Sequence, residues 1–220
     1  MTRGPGLRER KKQETRTALS RAAWKLLADE GLAAVTPENV AARVGVSGNT
    51  FRNYFGSREE AIVEAVIPRA GSVADALRAR PAGEPVWDSL AEVLPGEVTA
   101  MVGSHADVVV LMRVAQENPA IFAQHLIAVE AAKRLLAETI AERSGGDGLS
   151  SLLLAEAAGA AIRASVETWA AGNGSAGLAG LAGLVRESVA QLRAGLPTGN
   201  GAPSALPPGS GPGPGFGPGA

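Results

Sequence analysis

The stretch TPENVAARVGVSGNTFRNYFGSREE, residues 36–60, decides the fold because it holds successive start and stop signals for short helices. Thr36 precedes Pro37, so the threonine oxygen caps the free N–H groups of a helix whose first position needs no donor. The glycine-bearing turn at 45–47 ends in Ser47, which caps the next helix. The stretch therefore predicts two short helices, over 37–44 and 48–55.

Helices also flank this stretch on both sides. Ser57 and Glu60 fit the capping-box pattern, in which each side chain bonds to the other's backbone, and they open a helix that ends near Pro68. Upstream, Gly31 supplies the left-handed stop of a long first helix, over about 8–30. Apolar residues at helical spacing mark its buried face: Leu19, Ala22, Ala23, Leu26 and Leu27. Together these elements predict a three-helix unit.

The second short helix has two different faces. Phe51 and Phe55 lie four residues apart, so they share one face and would lock the helix against its neighbours. The polar face carries five side chains that can hydrogen-bond to base edges in the major groove: Ser47, Asn49, Thr50, Arg52 and Asn53. Thr36, at a helix N-terminus, is a predicted phosphate contact. The alternative is a purely structural three-helix unit with a polar surface.

The joint pattern over about residues 10–66 resembles the helix-turn-helix of the TetR family of transcriptional regulators. The family has an alanine-rich first helix ending in glycine, a threonine start, an "IA..AGVS" turn, a "T.Y.YF" recognition helix and an "SKE" opening of the next helix. Val40-Ala41…Val44-Gly45-Val46-Ser47, Thr50-Phe51-Arg52-Asn53-Tyr54-Phe55 and Ser57-Arg58-Glu59 match these motifs. The resemblance implies that Tyr54 and Arg58 face phosphates, because the family places an aromatic residue and a lysine there.

Two positions depart from the family pattern. Asn49 stands where the family usually has glycine, with Gly48 one position earlier, and Arg52 replaces a common tyrosine. Arg52 adds a cation that can bond guanine through two donors or sit on a phosphate. The operator sequence therefore does not carry over from the family.

Charge is unevenly distributed, although the net charge is only −1. Residues 1–58 carry a net +6 and the rest of the chain −7, so a basic head precedes an acidic body. The basic residues near the N-terminus predict either an arm that contacts DNA or a solvated helix end: Arg8, Arg10, Lys11, Lys12 and Arg16. The chain has no cysteine, and its start lacks the apolar stretch of a secretion signal, so a cytoplasmic protein is expected.

The remaining chain reads as helix after helix, which predicts an all-α fold: a helix-turn-helix DNA-binding domain over 1–66 and an effector-binding and dimerisation domain over 67–196. Residues 197–220 hold 7 prolines and 8 glycines, a composition that predicts a disordered tail. The family resemblance implies a homodimer through the last two helices, at about 150–171 and 177–194. Apolar stripes along Leu154–Trp169 and Leu178–Leu192 fit that role, and burial inside one subunit is the competing explanation.

A small-molecule pocket is the expected function of the body. Several large apolar residues and two polar ones are its candidate lining: Trp87, Met101, Met112, Arg113, Gln116, Phe122 and Trp169. The stretch 111–126 is similar to bodies of family members that accept hydrophobic or acyl-type effectors, so such an effector is expected. His105 and His125 lack a third ligand at suitable spacing, so no metal site or other cofactor is expected.

No enzyme motif is present, since the chain has no nucleophile elbow, phosphate loop or HExxH sequence. The sequence therefore predicts a homodimeric, ligand-responsive repressor that reads a palindromic DNA operator and has no membrane partner. The alternative, of a different class, is a helical small-molecule-binding protein without specific DNA readout.

Overall fold

A computed structural model describes residues 6–66, 71–102, 104–145, 148–172 and 176–196. Within these ranges the chain forms ten α-helices and one 3-10 turn at Leu32–Ala34, which confirms the all-α prediction. The helices are α1 (Leu7–Glu30), α2 (Pro37–Val44), α3 (Gly48–Tyr54), α4 (Arg58–Val66), α5 (Ser72–Ala79), α6 (Val86–Val102), α7 (His105–Glu117), α8 (Pro119–Ser144), α9 (Gly148–Ala171) and α10 (Gly177–Ala194).

The caps predicted for the two short helices are present. Oγ1 of Thr36 accepts a hydrogen bond from the backbone N–H of Asn39 at 3.1 Å. Gly45 ends α2 in the left-handed conformation, with φ of 76°. Oγ of Ser47 then accepts from the backbone N–H of Thr50 at 3.1 Å. Local sequence signals therefore fix both ends of the turn between α2 and α3.

The capping box at α4 differs from the prediction in one bond. Oγ of Ser57 accepts from the backbone N–H of Glu60 at 3.0 Å, as expected. The Glu60 carboxylate, however, accepts from the N–H of Gly56 at 2.8 Å and not from Ser57. The same carboxylate also pairs with Arg16 at 2.9 Å, and this partner comes from a helix that the box pattern does not include.

α1 and α4 are joined through Arg16. Its guanidinium donates to Glu60, to Glu64 and to the carbonyl oxygen of Tyr54, and it lies 4.3 Å from the centre of the Phe55 ring. Arg16 is therefore half-buried and bonded to the protein, unlike the basic residues that precede it on α1, which are exposed.

Two apolar clusters form the core. One, which we call the reader cluster, lies within α1–α4 and contains Phe51 and Phe55, which are 1% and 2% exposed. It also includes Leu111 of α7 and Ile121 of α8, so the body contributes to it directly. The other, the body cluster, joins α5–α10. The predicted domain boundaries after residues 66 and 196 stay predictions, and the predicted disordered tail over 197–220 lies outside the described residues.

Most residues of the two stripes assigned to dimerisation pack inside the subunit, whereas Leu178 at the start of the second stripe is exposed. On α9, Ala158, Ala161 and Trp169 are buried in the body cluster of the same subunit, as are Leu181 and Val185 on α10. The competing explanation, burial inside one subunit, is therefore correct for these residues. Inside the subunit, α9 packs against α8 and α10, and α10 packs against α6 and α9. Apolar spacing alone does not identify which of these helices, or which partner subunit, a stripe contacts.

α9 is also the one described helix that is long and apolar enough by itself to cross a bilayer. It packs against α8 and α10, and its inward residues are buried. Of its most apolar 18-residue window, 28% is buried within the subunit.

Candidate nucleic-acid interface

The exposed edge of α3 carries three polar side chains. Asn49, Arg52 and Asn53 are exposed, whereas Phe51 on the opposite face is buried. The Phe51 and Phe55 rings lie 5.4 Å apart and hold α3 against the reader cluster. The structure thus presents amide and guanidinium donors outward on an α-helix, an element whose width fits the major groove.

Hydroxyl groups surround the N-terminal ends of α2 and α3. Ser47 and Thr50 share a hydrogen bond of 2.9 Å between their hydroxyl oxygens, in addition to the cap that Ser47 provides. Thr36 lies at the start of α2, where its side chain is half-buried. Each hydroxyl keeps a lone pair or a proton free of these contacts, because a hydroxyl has one donor and two acceptor sites. These positions suit phosphate oxygens.

Tyr54 and Arg58 are held more firmly by the protein. The Tyr54 side chain is half-buried and contacts the reader cluster. Nη1 of Arg58 donates to the carbonyl oxygens of Leu32 and Val35 at 3.1 and 3.4 Å, and its Nε pairs with Glu59 at 2.9 Å. A phosphate contact by Arg58 stays a prediction, and it would compete with these bonds.

Glu38 is an interface residue that the sequence reasoning missed. Its Oε1 accepts a hydrogen bond from Nη2 of Arg52 at 2.6 Å, across the turn between α2 and α3. This bond, followed by a backbone hydrogen bond of Glu38 itself, lowers the pKa of the carboxyl group. Neither residue lies at a spacing that marks a pair on one helix, so no local pattern would have identified it.

The seven candidate pocket residues fall into two groups. Trp169 is buried in the body cluster, and Trp87, Met101 and Met112 are partly buried against it. The other three are exposed on α7 and α8: Arg113, Gln116 and Phe122. The structure therefore brings four of the five apolar candidates into one cluster and leaves Phe122 and the two polar candidates at the surface.

Trp169 also contacts the start of α7. Its ring meets His105 edge-on, with ring centres 4.9 Å apart, and its Nε1 donates to the carbonyl oxygen of Gly177 at 2.9 Å. Nε2 of His105 lies 3.1 Å from the carbonyl oxygen of Ala170, to which it donates. The C-terminal end of α9, the start of α10 and the start of α7 thus meet at Trp169.

A separate groove runs between α8 and α9, with a volume of about 320 Å³. Lys133 lies in it and pairs with Glu130 at 2.9 Å and with Glu156 at 2.7 Å. These carboxylates raise the pKa of Lys133, the bond to Glu156 having the larger effect. None of the candidate pocket residues lines this groove.

Two family models match the chain. Residues 19–66 match a model described as "Bacterial regulatory proteins, tetR family", and residues 84–197 match one described as "MftR C-terminal domain". The second match alone covers more than half of the chain. The tetR model covers most of α1–α4, and the MftR model covers α6–α10.

Known proteins of similar sequence or fold are regulators. The HTH-type transcriptional regulator TcmR of Streptomyces glaucescens is 34% identical over 152 residues, and the alignment spans 66% of each chain. FadR of Bacillus halodurans has a TM-score of 0.56 at 17% identity, covering 89% of this chain and 98% of that one. FadR of Thermus thermophilus, solved with lauroyl-CoA, has a TM-score of 0.52 at 20% identity, with 89% and 100% covered. FadR of Bacillus subtilis, solved with stearoyl-CoA, has a TM-score of 0.51 at 18% identity, with 78% and 96% covered.

Proposed function

The chain belongs to the TetR family of bacterial regulatory proteins, and from this premise we propose that it is a homodimeric repressor whose two α3 helices read a palindromic operator. It is a DNA-binding transcriptional regulator of a non-enzymatic family. The residues that contact DNA, the homodimer and the identity of the effector are part of the proposal. We propose that the protein acts in the cytoplasm, where bacterial chromosomal DNA is located.

The exposed polar edge of α3 carries the proposal. Asn49, Arg52 and Asn53 read base edges, because amides pair with adenine and arginine with guanine through two bonds each. The hydroxyls near the helix N-termini and two further residues position the protein on phosphates: Thr36, Ser47, Thr50, Tyr54 and Arg58. One reader covers only a half-site, so two copies set about 34 Å apart select a palindrome.

Footprinting of the upstream region of the protein's own gene tests this readout. We expect a protected palindrome that persists as the salt concentration rises, because base contacts add to the phosphate contacts. Asn53→Ala should relax the choice of sequence and leave the dimer intact. Weak protection without a fixed boundary, lost as salt rises, would instead support a small-molecule-binding protein without specific readout.

The dimer is proposed to form through the outward faces of α9 and α10, within about 150–171 and 177–194. The inward faces of both helices are buried in the body cluster of the same subunit. The outward faces carry exposed small residues that allow close helix approach: Ala160, Ala164, Ala179, Gly183 and Ala190. Ala164→Glu should shift sedimentation toward a monomer and weaken operator binding. Ala100→Glu, on an exposed position of α6, is the matched control, and a dimer that survives Ala164→Glu would contradict this interface.

The effector is proposed to be apolar, with an acyl chain as the first class to test. FadR of two bacteria was solved with an acyl-CoA, and the body cluster of this chain holds Trp87, Met101, Met112 and Trp169. Methionine side chains repack easily, so this cluster can open for an acyl chain at the cost of apolar contacts that the chain itself replaces. Arg113, exposed one residue after Met112, is the proposed partner of an anionic head group.

Titration of the protein–operator complex with acyl-CoAs of increasing chain length tests the effector. We expect release at a preferred length, and weaker release by free coenzyme A. Arg113→Ala should raise the concentration needed for release, while Arg186→Ala on α10 should not. A complex that stays intact at every chain length would exclude this class of effector.

A further inference from the structure

An exposed ion pair joins the first turn of α2 to the polar edge of α3. Nη2 of Arg52 and Oε1 of Glu38 are 2.6 Å apart, although the two side chains are 56% and 63% exposed. Ion pairs this exposed contribute little to folding stability. The fold therefore does not depend on this pair, and its position at the polar edge of α3 places it where α3 meets its partner.

Gly48 provides the space in which this pair lies. A methyl group at Gly48 would be 3.0 Å from Oε1 of Glu38 and 3.5 Å from Nη1 of Arg52. Arg52 follows Gly48 by four residues, and helical side chains lean toward the N-terminus, so the guanidinium extends back over the glycine. The carboxylate and the guanidinium thus meet above bare backbone, which gives a physical reason for glycine at this position.

The pair leaves Arg52 able to bind a base. An arginine has five N–H donors, and a two-bond contact to O6 and N7 of guanine needs two of them. The bond to Glu38 uses a single Nη2 proton. A phosphate, by contrast, would bring a second anion toward the Glu38 carboxylate, and like charges at this distance repel.

We propose that Glu38 is a specificity-determining residue, which orients Arg52 toward a guanine edge and keeps its guanidinium off the phosphate backbone. The proposal rests on the proposed reading of the operator by α3. Glu38 acts through Arg52 and is thus a positioning residue. It selects between the two contacts, base or phosphate, that an arginine on this helix can make.

The test starts from a selection on a randomised duplex library with the full-length protein, which yields the preferred site. Binding of each variant to that site, to single-base changes of it and to a scrambled duplex is then measured over a range of KCl concentrations. Glu38→Gln should reduce discrimination at the guanine read by Arg52 by about tenfold. It should also tighten binding to the scrambled duplex and steepen the salt dependence by about one unit of slope.

Two further variants separate orientation from charge. Gly48→Ala keeps every charge but crowds the pair, so it should lower guanine discrimination in the same direction as Glu38→Gln. Glu14→Gln removes an equal charge from an exposed position on α1 and should leave base preference unchanged. Arg52→Ala should abolish the preference at this base, and adding Glu38→Gln to it should have no further effect on that base.

The outcomes distinguish this proposal from the one it rests on. If Arg52→Ala loses the guanine preference while Glu38→Gln retains it with an unchanged salt slope, the role of Glu38 is refuted and readout by α3 stands. If Arg52→Ala and Asn53→Ala both retain the parent's site, the readout itself fails. A change in preference at a cytosine in Glu38→Gln would show that Glu38 accepts a hydrogen bond from a base directly, which also overturns the positioning role.

Discussion

The indole Nε1 of Trp24 donates a hydrogen bond to Oδ1 of Asp107 at 2.8 Å, and this bond joins α1 to the first turn of α7. Oδ2 of Asp107 accepts a second bond, from the hydroxyl of Ser104 at 2.7 Å, which fixes the carboxylate at the helix start. His105, the residue between them that contacts Trp169, belongs to the same turn. The proposed effector region and the reader therefore meet at one helix N-terminus.

Trp24→Phe should weaken the response to effector more than it weakens operator binding. Phenylalanine retains a ring for the reader cluster but has no N–H donor, so movement of α7 is no longer passed to α1 through Asp107. Removing one partner of such a bond costs about 1–3 kcal/mol. We expect the coupling between effector and operator, measured from release curves, to fall by at least about fivefold.

Asp107→Asn is the matched control for Trp24→Phe, because its amide oxygen can still accept the indole N–H and the link between α1 and α7 is kept. Equal release curves for Trp24→Phe and the parent would mean that the signal passes by another contact. Leu111 and Ile121 would then be the next residues to test, since they enter the reader cluster from α7 and α8.

Arg16→Met should lower the free energy of unfolding by about 1–2 kcal/mol, because it removes charge-assisted bonds that are only partly shielded from solvent. The loss includes the bonds to Glu60 and Glu64 and the contact with the Phe55 ring. Urea denaturation measures it. Arg21→Met, at an exposed position of the same helix, should leave stability nearly unchanged.

Arg143→Met should destabilise the body by about 2–3 kcal/mol, because a charged donor to several carbonyl groups is lost. Nη1 of Arg143 donates to the carbonyl oxygens of Leu77 and Arg80, both at 3.0 Å, and Nη2 to that of Pro81 at 2.8 Å. These bonds tie the end of α8 to the end of α5. Thermal unfolding measures the loss, and a melting temperature equal to that of Arg186→Met would contradict this role.

His125 should make stability depend on pH just below neutrality. Burial lowers the pKa of its imidazole from about 6.5, and its Nδ1 is buried without a hydrogen-bond partner. The unfolded chain therefore binds the proton more readily, so stability present above pH 6.5 is lost as the pH falls. His125→Gln should flatten the fall in stability measured by urea denaturation between about pH 7 and pH 5.5.

The position of His125 makes this prediction sharper. It follows Ile121 by four residues and precedes Ala128 by three, and both of these contact the reader cluster, so all three share one face of α8. Only one other histidine is present in the chain, which limits the background titration in this range. An identical pH profile for His125→Gln and the parent would show that the imidazole is solvated in solution.

Much of the DNA-binding head was predictable because its signals are local. Thr36 and Ser47 cap the helices they precede, Gly45 ends α2, and the spacing of Phe51 and Phe55 predicts the buried face of α3. Each of these depends on residues within a few positions of one another. Once the buried face of α3 was identified, the remaining residues of that helix were predicted to form its exposed polar edge.

The sequence by itself determined an all-helical chain, the position of the helix-turn-helix and the class of regulator, because caps, turn glycines and helical periodicity act over a single turn of backbone. Only the tertiary structure decided that most residues of the α9 and α10 stripes pack within one subunit, that Arg16 and Arg58 bond to the protein, and that Glu38 holds Arg52. These outcomes depend on which residues meet across helices. An apolar stripe or a charge shows only that a partner is needed, and packing determines which residue that partner is.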